Sequence, residues 1–296
     1  MPRQHGRNPA RRTLGAQYTQ GNDKIQPHDP ETAAQSPARI LIGTSGYSYD
    51  DWVGPFYPAD LPKSSWLEHY AGHFSFTEIN FSYYRMPDAR HLERMRARVP
   101  DGFTFSIKAH QSLTHEIDAT WRDAAATFRD AVAPLTASAQ LGGVLLQFPY
   151  SFHYTPANRR YLDGLCRDLE TLPRFLEFRN REWQRASVYA HMRDLGVGYV
   201  VTDLPALKGL PSPDALTTSH AAYLRFHGRN AGQWWDGDNR SRYDYLYREK
   251  ELTPWVERIN DLMTQVAVIM VAFNNHADGQ AVANAKDLQR LLGMGR

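Results

Sequence analysis

FLEFRNREWQRASVYAHMRDLGVGYVVTD, residues 175–203, holds one complete unit of the fold. FLEFRN is a short apolar run that ends on Glu177 and Arg179. REWQRASVYAHMRDLG has the spacing of a helix, and a second run, YVVTD, ends on Asp203. Strand, helix and strand in that order, with so short a connection, describe a parallel pair joined by a crossover.

Working outward, the pattern repeats. ILIGTSG (40–46) ends at Ser45, FTEIN (76–80) at Glu78 and Asn80, and FTFSIKAH (103–110) at Lys108 and His110. GVLLQF (143–148) ends at Gln147, and AYLRFHG (222–228) at Arg225 and His227. VAVIMVAFNNH (266–276) ends at Asn274, Asn275 and His276. These are eight runs, each polar at its C-terminal end. Helix-like segments fill most gaps between them; TPANRRYLDGLCRDLETL, for example, offers Thr155 as N-cap and Pro156 in the first turn. LPALKGLPSPDALTTSH (204–220), with three prolines, reads as a loop, and EKELTPWVERINDLM (249–263) as a helix. The expected fold is α/β: a closed eight-stranded parallel β/α (TIM) barrel over residues 38–296, one domain, which gathers the polar ends at one mouth.

Residues 1–37 are rich in Arg, Gln, Asn and Pro and read as a disordered extension carrying a modest basic arm, Arg3, Arg7, Arg11 and Arg12. The net charge of +2 gives no strong global field toward a polyanion. No apolar stretch approaches membrane length, and no hydrophobic region follows Arg11-Arg12, so a cytoplasmic protein without a membrane partner is expected. The single cysteine, Cys166, excludes an internal disulfide and a cysteine-cluster metal site; its helical spacing with Leu162, Leu165 and Leu169 marks a buried filler.

Side chains two apart on a strand share a face, so Glu78 goes with Asn80, Ser106 with Lys108 and His110, Glu177 with Arg179, and Arg225 with His227. Lys108, Arg179 and Arg225 balance Glu78, Glu177 and Asp203, three against three. A self-neutralising structural network therefore competes with a binding site. Three chemistries fit these types. Glu78 and Glu177 suit a glycosidase-like carboxylate pair. His110, His227 and His276 with a carboxylate suit a divalent metal, although no local ligand spacing supports one and the cofactor stays unknown. Lys108 and Arg225, with the backbone after the seventh run, suit a carboxylate or phosphate. The aromatics of GTSGYSYDDWVGPFYP (Tyr47, Tyr49, Trp52, Phe56, Tyr57), with Tyr83, Tyr84, Trp234 and Trp235, either wall a pocket or fold over the rim.

IGTSGYSYDDWVGPFYP, FTEINFSYYRMP, FSIKAHQSLTHE, LLQFPYSF, FEFRNREW, YLRFHGRN and FNNHADGQAVANA together resemble the YecE-like family, a domain of unknown function, from about Ile40 to about Leu292. The resemblance implies a TIM barrel and no established reaction. Two departures stand out: Asn180 where a histidine is expected, and Phe81-Ser82-Tyr83-Tyr84 in place of a small residue followed by Phe-Tyr.

The leading expectation is an enzyme acting by general acid–base chemistry on a small polar or anionic substrate. Glu78 or Glu177 serves as base, and His227 or His276 as acid partner. Lys108, Arg179 and Arg225 hold the anion, while Asn80, Gln147, Asn274 and Asn275 orient it. Ser45, Tyr47, His110 and Asp203 complete the mouth. Glu177→Gln is expected to keep the fold and abolish turnover. The rival reading is a non-catalytic binder of a nucleotide or nucleic acid, with steep salt dependence.

Overall fold

The structure, a computed structural model, describes residues 38–214 and 216–294, so the expectation for residues 1–37 lies outside the described residues. Eight parallel strands close into a barrel in sequence order: β1 (Arg39–Ser45), β2 (Phe76–Ile79), β3 (Thr104–Lys108), β4 (Leu141–Phe148), β5 (Arg174–Phe178), β6 (Gly198–Asp203), β7 (Ala221–Phe226) and β8 (Val268–Phe273). Each falls on one of the eight runs. β8 returns to β1 in the register Leu41↔Met270 and Gly43↔Ala272, which removes both sheet edges. The helices are α1 (Trp66–Ala71), α2 (Phe81–Tyr84), α3 (Ala89–Arg96), α4 (Trp121–Ala137), α5 (Pro156–Asp168), α6 (Ala186–Asp194), α7 (Asn239–Arg242), α8 (Glu249–Met263) and α9 (Gln280–Leu291).

Local chemistry sets several of these boundaries. Thr155 Oγ1 accepts from Asn158 N at 3.2 Å and starts α5, with Pro156 in its first turn. The segment REWQRASVYAHMRDLG is not one helix. Asn180 caps a separate short turn at Arg181–Trp183, Gln184 leaves helical geometry (φ −79°, ψ 81°), and α6 begins only at Ala186. Cys166 is a buried filler of α5, and burial pushes its thiol up to about 12.

Two apolar layers follow from strand alternation. Inside the barrel, Leu41, Phe76, Leu145, Phe175, Val200, Tyr223 and Met270 pack together. Phe175 and Tyr223 meet edge to face at 5.5 Å, and a Cβ on Gly198 would lie 2.4 Å from the Phe175 ring, so this layer needs glycine beside it. The outward residues, such as Val144, Leu146, Leu224, Phe226 and Val271, form the larger core beneath the helices. The first strand–helix loop folds down on that outer core: Trp52 and Tyr57 are fully buried, and Tyr57 stacks on Trp66 of α1 at 4.5 Å. Among the described residues no helix is long and apolar enough to cross a membrane.

Candidate active site

One step above the inner apolar layer, the inward positions turn polar. Register pairs Ser45 with Glu78, Glu78 with Ser106, and Gln147 with Glu177, so these side chains share a level at the C-terminal end of the strands. Arg225, opposite Thr202 and Ala272, reaches across that level. Its Nε donates to Glu78 Oε2 at 2.8 Å, its Nη2 to Glu78 Oε1 at 2.6 Å, and its Nη1 to Glu177 Oε2. Tyr223, from the apolar layer below, donates its hydroxyl to Glu78 Oε2 at 2.5 Å. Arg179 Nε donates to the second oxygen of Glu177 at 2.6 Å. Glu78 and Glu177 are fully buried and Arg225 is 2% exposed, so this is a dry ion layer.

The electrostatics follow from that packing. Burial disfavours the Glu177 carboxylate, but Arg225 and Arg179 outweigh it and hold the acid well below its usual range. Burial also lowers His227 well below an ordinary histidine, and Arg179 adds to the effect. His227 Nε2 lies 3.2 Å from Glu177 Oε1, and its Nδ1 lies 3.1 Å from Asn274 Nδ2; a neutral ring protonated on Nε2 satisfies both.

Above the ion layer opens a cavity of about 710 Å³. Its floor and sides present Asn80, Lys108, Gln147, Arg179, Arg225 and Asn274 from the strand ends. Its walls are aromatic: Tyr49, Tyr83, Tyr150, Trp234, Trp235 and Tyr243. Tyr84 and Trp235 stand exposed at the rim. Tyr49 stacks on His276 at 4.7 Å, with the rings 5° from parallel. No acidic side chain of the described residues lines the cavity.

Among the described residues, Lys108 and Arg242 are the cations of this lining without a carboxylate partner. Ser82 Oγ donates to Lys108 O at 2.6 Å and fixes its backbone, while Nζ sits 4.3 Å from the centre of the Tyr83 ring. No carboxylate among the described residues pairs with it. Burial, with the nearby Arg225, pushes the ammonium down from 10.5 to about 7. Arg242, on α7, donates to Gly237 O at 3.1 Å, and its buried Nε has no partner among the described residues. His115 also lines the cavity, pushed down to about 4 by burial and by Lys108, so its imidazole is neutral at pH 7.

A family model described as "Protein of unknown function DUF72" matches residues 41–296. The UPF0759 protein YunF of Bacillus subtilis (strain 168) is 32% identical over 269 residues, covering 86% of this chain and 94% of the relative. The chain belongs to the DUF72 family. The YecE-like resemblance names the same family. The crystal structure of a DUF72 family protein from Thermotoga maritima is 35% identical and superposes with a TM-score of 0.80, covering 86% of this chain and 99% of that one. A DUF72 family protein from Enterococcus faecalis is 25% identical with a TM-score of 0.77, covering 87% and 96%.

In this DUF72 protein several expected mouth residues lie elsewhere. Asp203 faces outward, because its partner Phe226 belongs to the outer core. It accepts from Arg229 Nε at 2.8 Å, Tyr247 Oη at 2.8 Å and Trp255 Nε1 at 3.0 Å, which clamps α8 to the barrel. Asn275 also faces outward and donates to Tyr245 O and Asn284 Oδ1, both at 2.8 Å. His110 lies past the end of β3 and caps a short turn through Ser112, outside the cavity lining. Tyr47 packs near Tyr70 of α1, because the chain turns at Gly46 (φ +87°) and Tyr49 takes the inward place.

The ion layer also changes the roles of four residues. Glu78, Glu177, Ser45 and His227 lie beneath the cavity and do not line it. Both oxygens of each carboxylate are engaged by arginine beneath the cavity, so neither is placed to reach a substrate's proton. Glu177→Gln would turn an amide NH₂ toward one of its two guanidiniums and leave both without their anion, so that substitution strains the fold as well as the site. His110, His227 and His276 do not converge. Among the described residues no group of three His, Cys, Asp or Glu side chains is placed to hold a metal ion. Asn180 sits outside the cavity, with its Oδ1 accepting from Glu182 N at 2.9 Å and its Nδ2 donating to Tyr150 O at 2.9 Å, so the departure from histidine serves a turn. Arg242, His115 and Tyr150 were missed: they come from loops and a short helix, where no period marks a side chain's direction.

Proposed function

We propose that this DUF72 protein is an enzyme that binds a small anionic substrate in the barrel mouth and exchanges a proton through Lys108. The observation that carries the reading is that, among the described residues, Lys108 and Arg242 have no carboxylate partner and the cavity lining has no carboxylate. Arg225 is saturated by Glu78 and Glu177, so it shapes the floor and sets the field. Arg242, with an unpartnered Nε, and Arg179 supply donors for a carboxylate or phosphate. Lys108, held near pH 7, is partly neutral in the free protein, which suits a group that must both take and return a proton. His276 and the amides of Asn80, Gln147 and Asn274 are placed to orient polar substituents, and the aromatic walls suit a flat or ring-bearing body.

The test is thermal unfolding and calorimetry at pH 7 with inorganic phosphate, pyruvate and glucose. The anions are expected to raise the melting temperature, glucose is expected to do less, and Arg242→Gln is expected to weaken anion binding about tenfold. A protein that ignores both anions overturns the reading. Binding of single-stranded DNA in preference to small anions, with steep loss on added salt, supports the rival instead.

A further inference from the structure

We infer that Lys108 is a nucleophile, and that its amine condenses with the carbonyl carbon of a small anionic aldehyde or ketone seated in the cavity. The inference rests on the anion-binding reading above and names the substrate class within it. Lys108 stands at the end of β3, with its backbone fixed by Ser82 and its amine facing the cavity rather than a carboxylate. One step beyond the pairing Ile79↔Ile107, Asn80 stands beside it, and the buried Asn80 Oδ1 has no hydrogen-bond partner among the described residues. An orphaned acceptor beside an unpaired amine is costly unless an occupant supplies the missing donor. The N–H of an iminium, or the hydroxyl of its carbinolamine precursor, supplies one.

The charged groups that act on Lys108 come from several elements. Arg225 on β7 and Arg179 after β5 disfavour the ammonium, Glu177 on β5 and Glu78 on β2 favour it, and the Tyr83 ring of α2 lies against it. Burial is the largest influence and leaves a free-amine fraction at neutral pH.

The step balances without an oxidant or reductant. The Nζ lone pair forms the C–N bond while the carbonyl π pair moves to oxygen. That oxygen gains the proton that nitrogen sheds, passed through solvent in the open cavity. A second proton from solvent lets the C–O bond break, and the oxygen leaves as water while the nitrogen lone pair closes the C=N⁺ bond. The iminium then draws electrons from the adjacent carbon, and Arg242 is placed to hold the substrate's anionic group.

The full chain at pH 7 is incubated separately with pyruvate, dihydroxyacetone phosphate and acetone, reduced with sodium cyanoborohydride, and mapped by peptide mass spectrometry. Expected is one adduct, on Lys108, formed at least about tenfold faster from an anionic ketone than from acetone. Lys108→Met should abolish it, and Arg242→Gln should remove the preference for the anion. Faster trapping of pyruvate assigns a carboxylate, and faster trapping of dihydroxyacetone phosphate assigns a phosphate. Equal labelling of Lys63, Lys208, Lys250 and Lys286, or no adduct on Lys108, overturns the inference. Anion-raised melting without an adduct leaves the acid–base reading standing, whereas absence of both removes the two together.

Discussion

Lys108→Met is expected to abolish turnover and to raise the melting temperature at pH 7. Burial and the nearby Arg225 make the ammonium costly in the folded state, so the parent protein carries that cost whenever Lys108 is charged. With a folded value near 7 against the ordinary 10.5, the unfolded chain binds more protons across that interval. Lysine's contribution to parent stability therefore rises with pH from about 7 to about 10.5, at roughly 1.4 kcal/mol for each pKa unit of displacement. Methionine keeps most of the apolar stem and has no such slope. The variant's advantage should be largest at and below pH 7 and shrink steadily toward pH 10. The Tyr83 ring works the other way, favouring the cation by about 0.5–2 kcal/mol, which trims the margin without reversing it. Paired thermal melts across pH 6–10 measure the effect. A variant that melts below its parent at pH 7, or a parent–variant gap that stays flat over the range, would show that the ammonium is at ease in its site and would remove the main support for Lys108 as the reacting group. A functional residue kept at the expense of stability is what a site shaped for chemistry predicts.

The barrel was legible because period-two alternation and polar strand ends are local signals that repeat eight times. Within the strands the same alternation placed Glu78, Lys108, Glu177 and Arg225 correctly on the inner face, and Arg179, the first residue past β5, keeps its parity. Asp203 and Asn275 were misread for a reason visible in the sequence itself: each is one position out of step with its inward neighbours, Thr202 and Asn274. Beyond the last ladder hydrogen bond, alternation loses its meaning. His110 follows β3 into a capped turn, and Tyr47 follows Gly46 through a left-handed residue, so neither keeps the face its parity assigned. The count of three cations against three acids failed through the same residue. With Asp203 committed to Arg229, Tyr247 and Trp255, two carboxylates remain for Lys108, Arg179 and Arg225, and Arg242 adds a further cation. The electropositive cavity is therefore a consequence of three-dimensional pairing, which no linear count of charges contains.

The ion layer itself should bear on stability first. Arg225→Met is expected to destabilise the protein by about 3–5 kcal/mol, because it leaves two fully buried carboxylates without their shared counter-ion. Glu177 keeps Arg179 at 2.6 Å, whereas Glu78 keeps the Tyr223 hydroxyl alone among the described residues, so Glu78 is the acid left without a counter-ion. In the parent, the depressed Glu177 contributes stability above the ordinary carboxylate range that is lost only as pH falls through its low folded value. In the variant an unpaired acid is costly while charged and harmless once protonated, so the parent–variant gap should narrow as pH falls from 7 toward 5. Denaturant unfolding at both pH values checks this. The double variant Arg225→Met, Glu78→Gln should recover most of the loss, since it removes a buried cation together with the acid left unpaired and leaves Glu177 with Arg179. A single variant within about 1 kcal/mol of the parent would mean that water reaches the layer, because only solvation can replace a buried counter-ion at so little cost. Recovery in the double variant would have a second consequence. It would yield a folded barrel with the cavity walls, Lys108 and Arg242 intact but the field of Arg225 gone. Arg225 acts on Lys108 more strongly than Glu78 does, so Lys108 should then titrate higher, and labelling of its amine at pH 7 should slow, separating the layer's part in holding the barrel together from its part in making a lysine reactive.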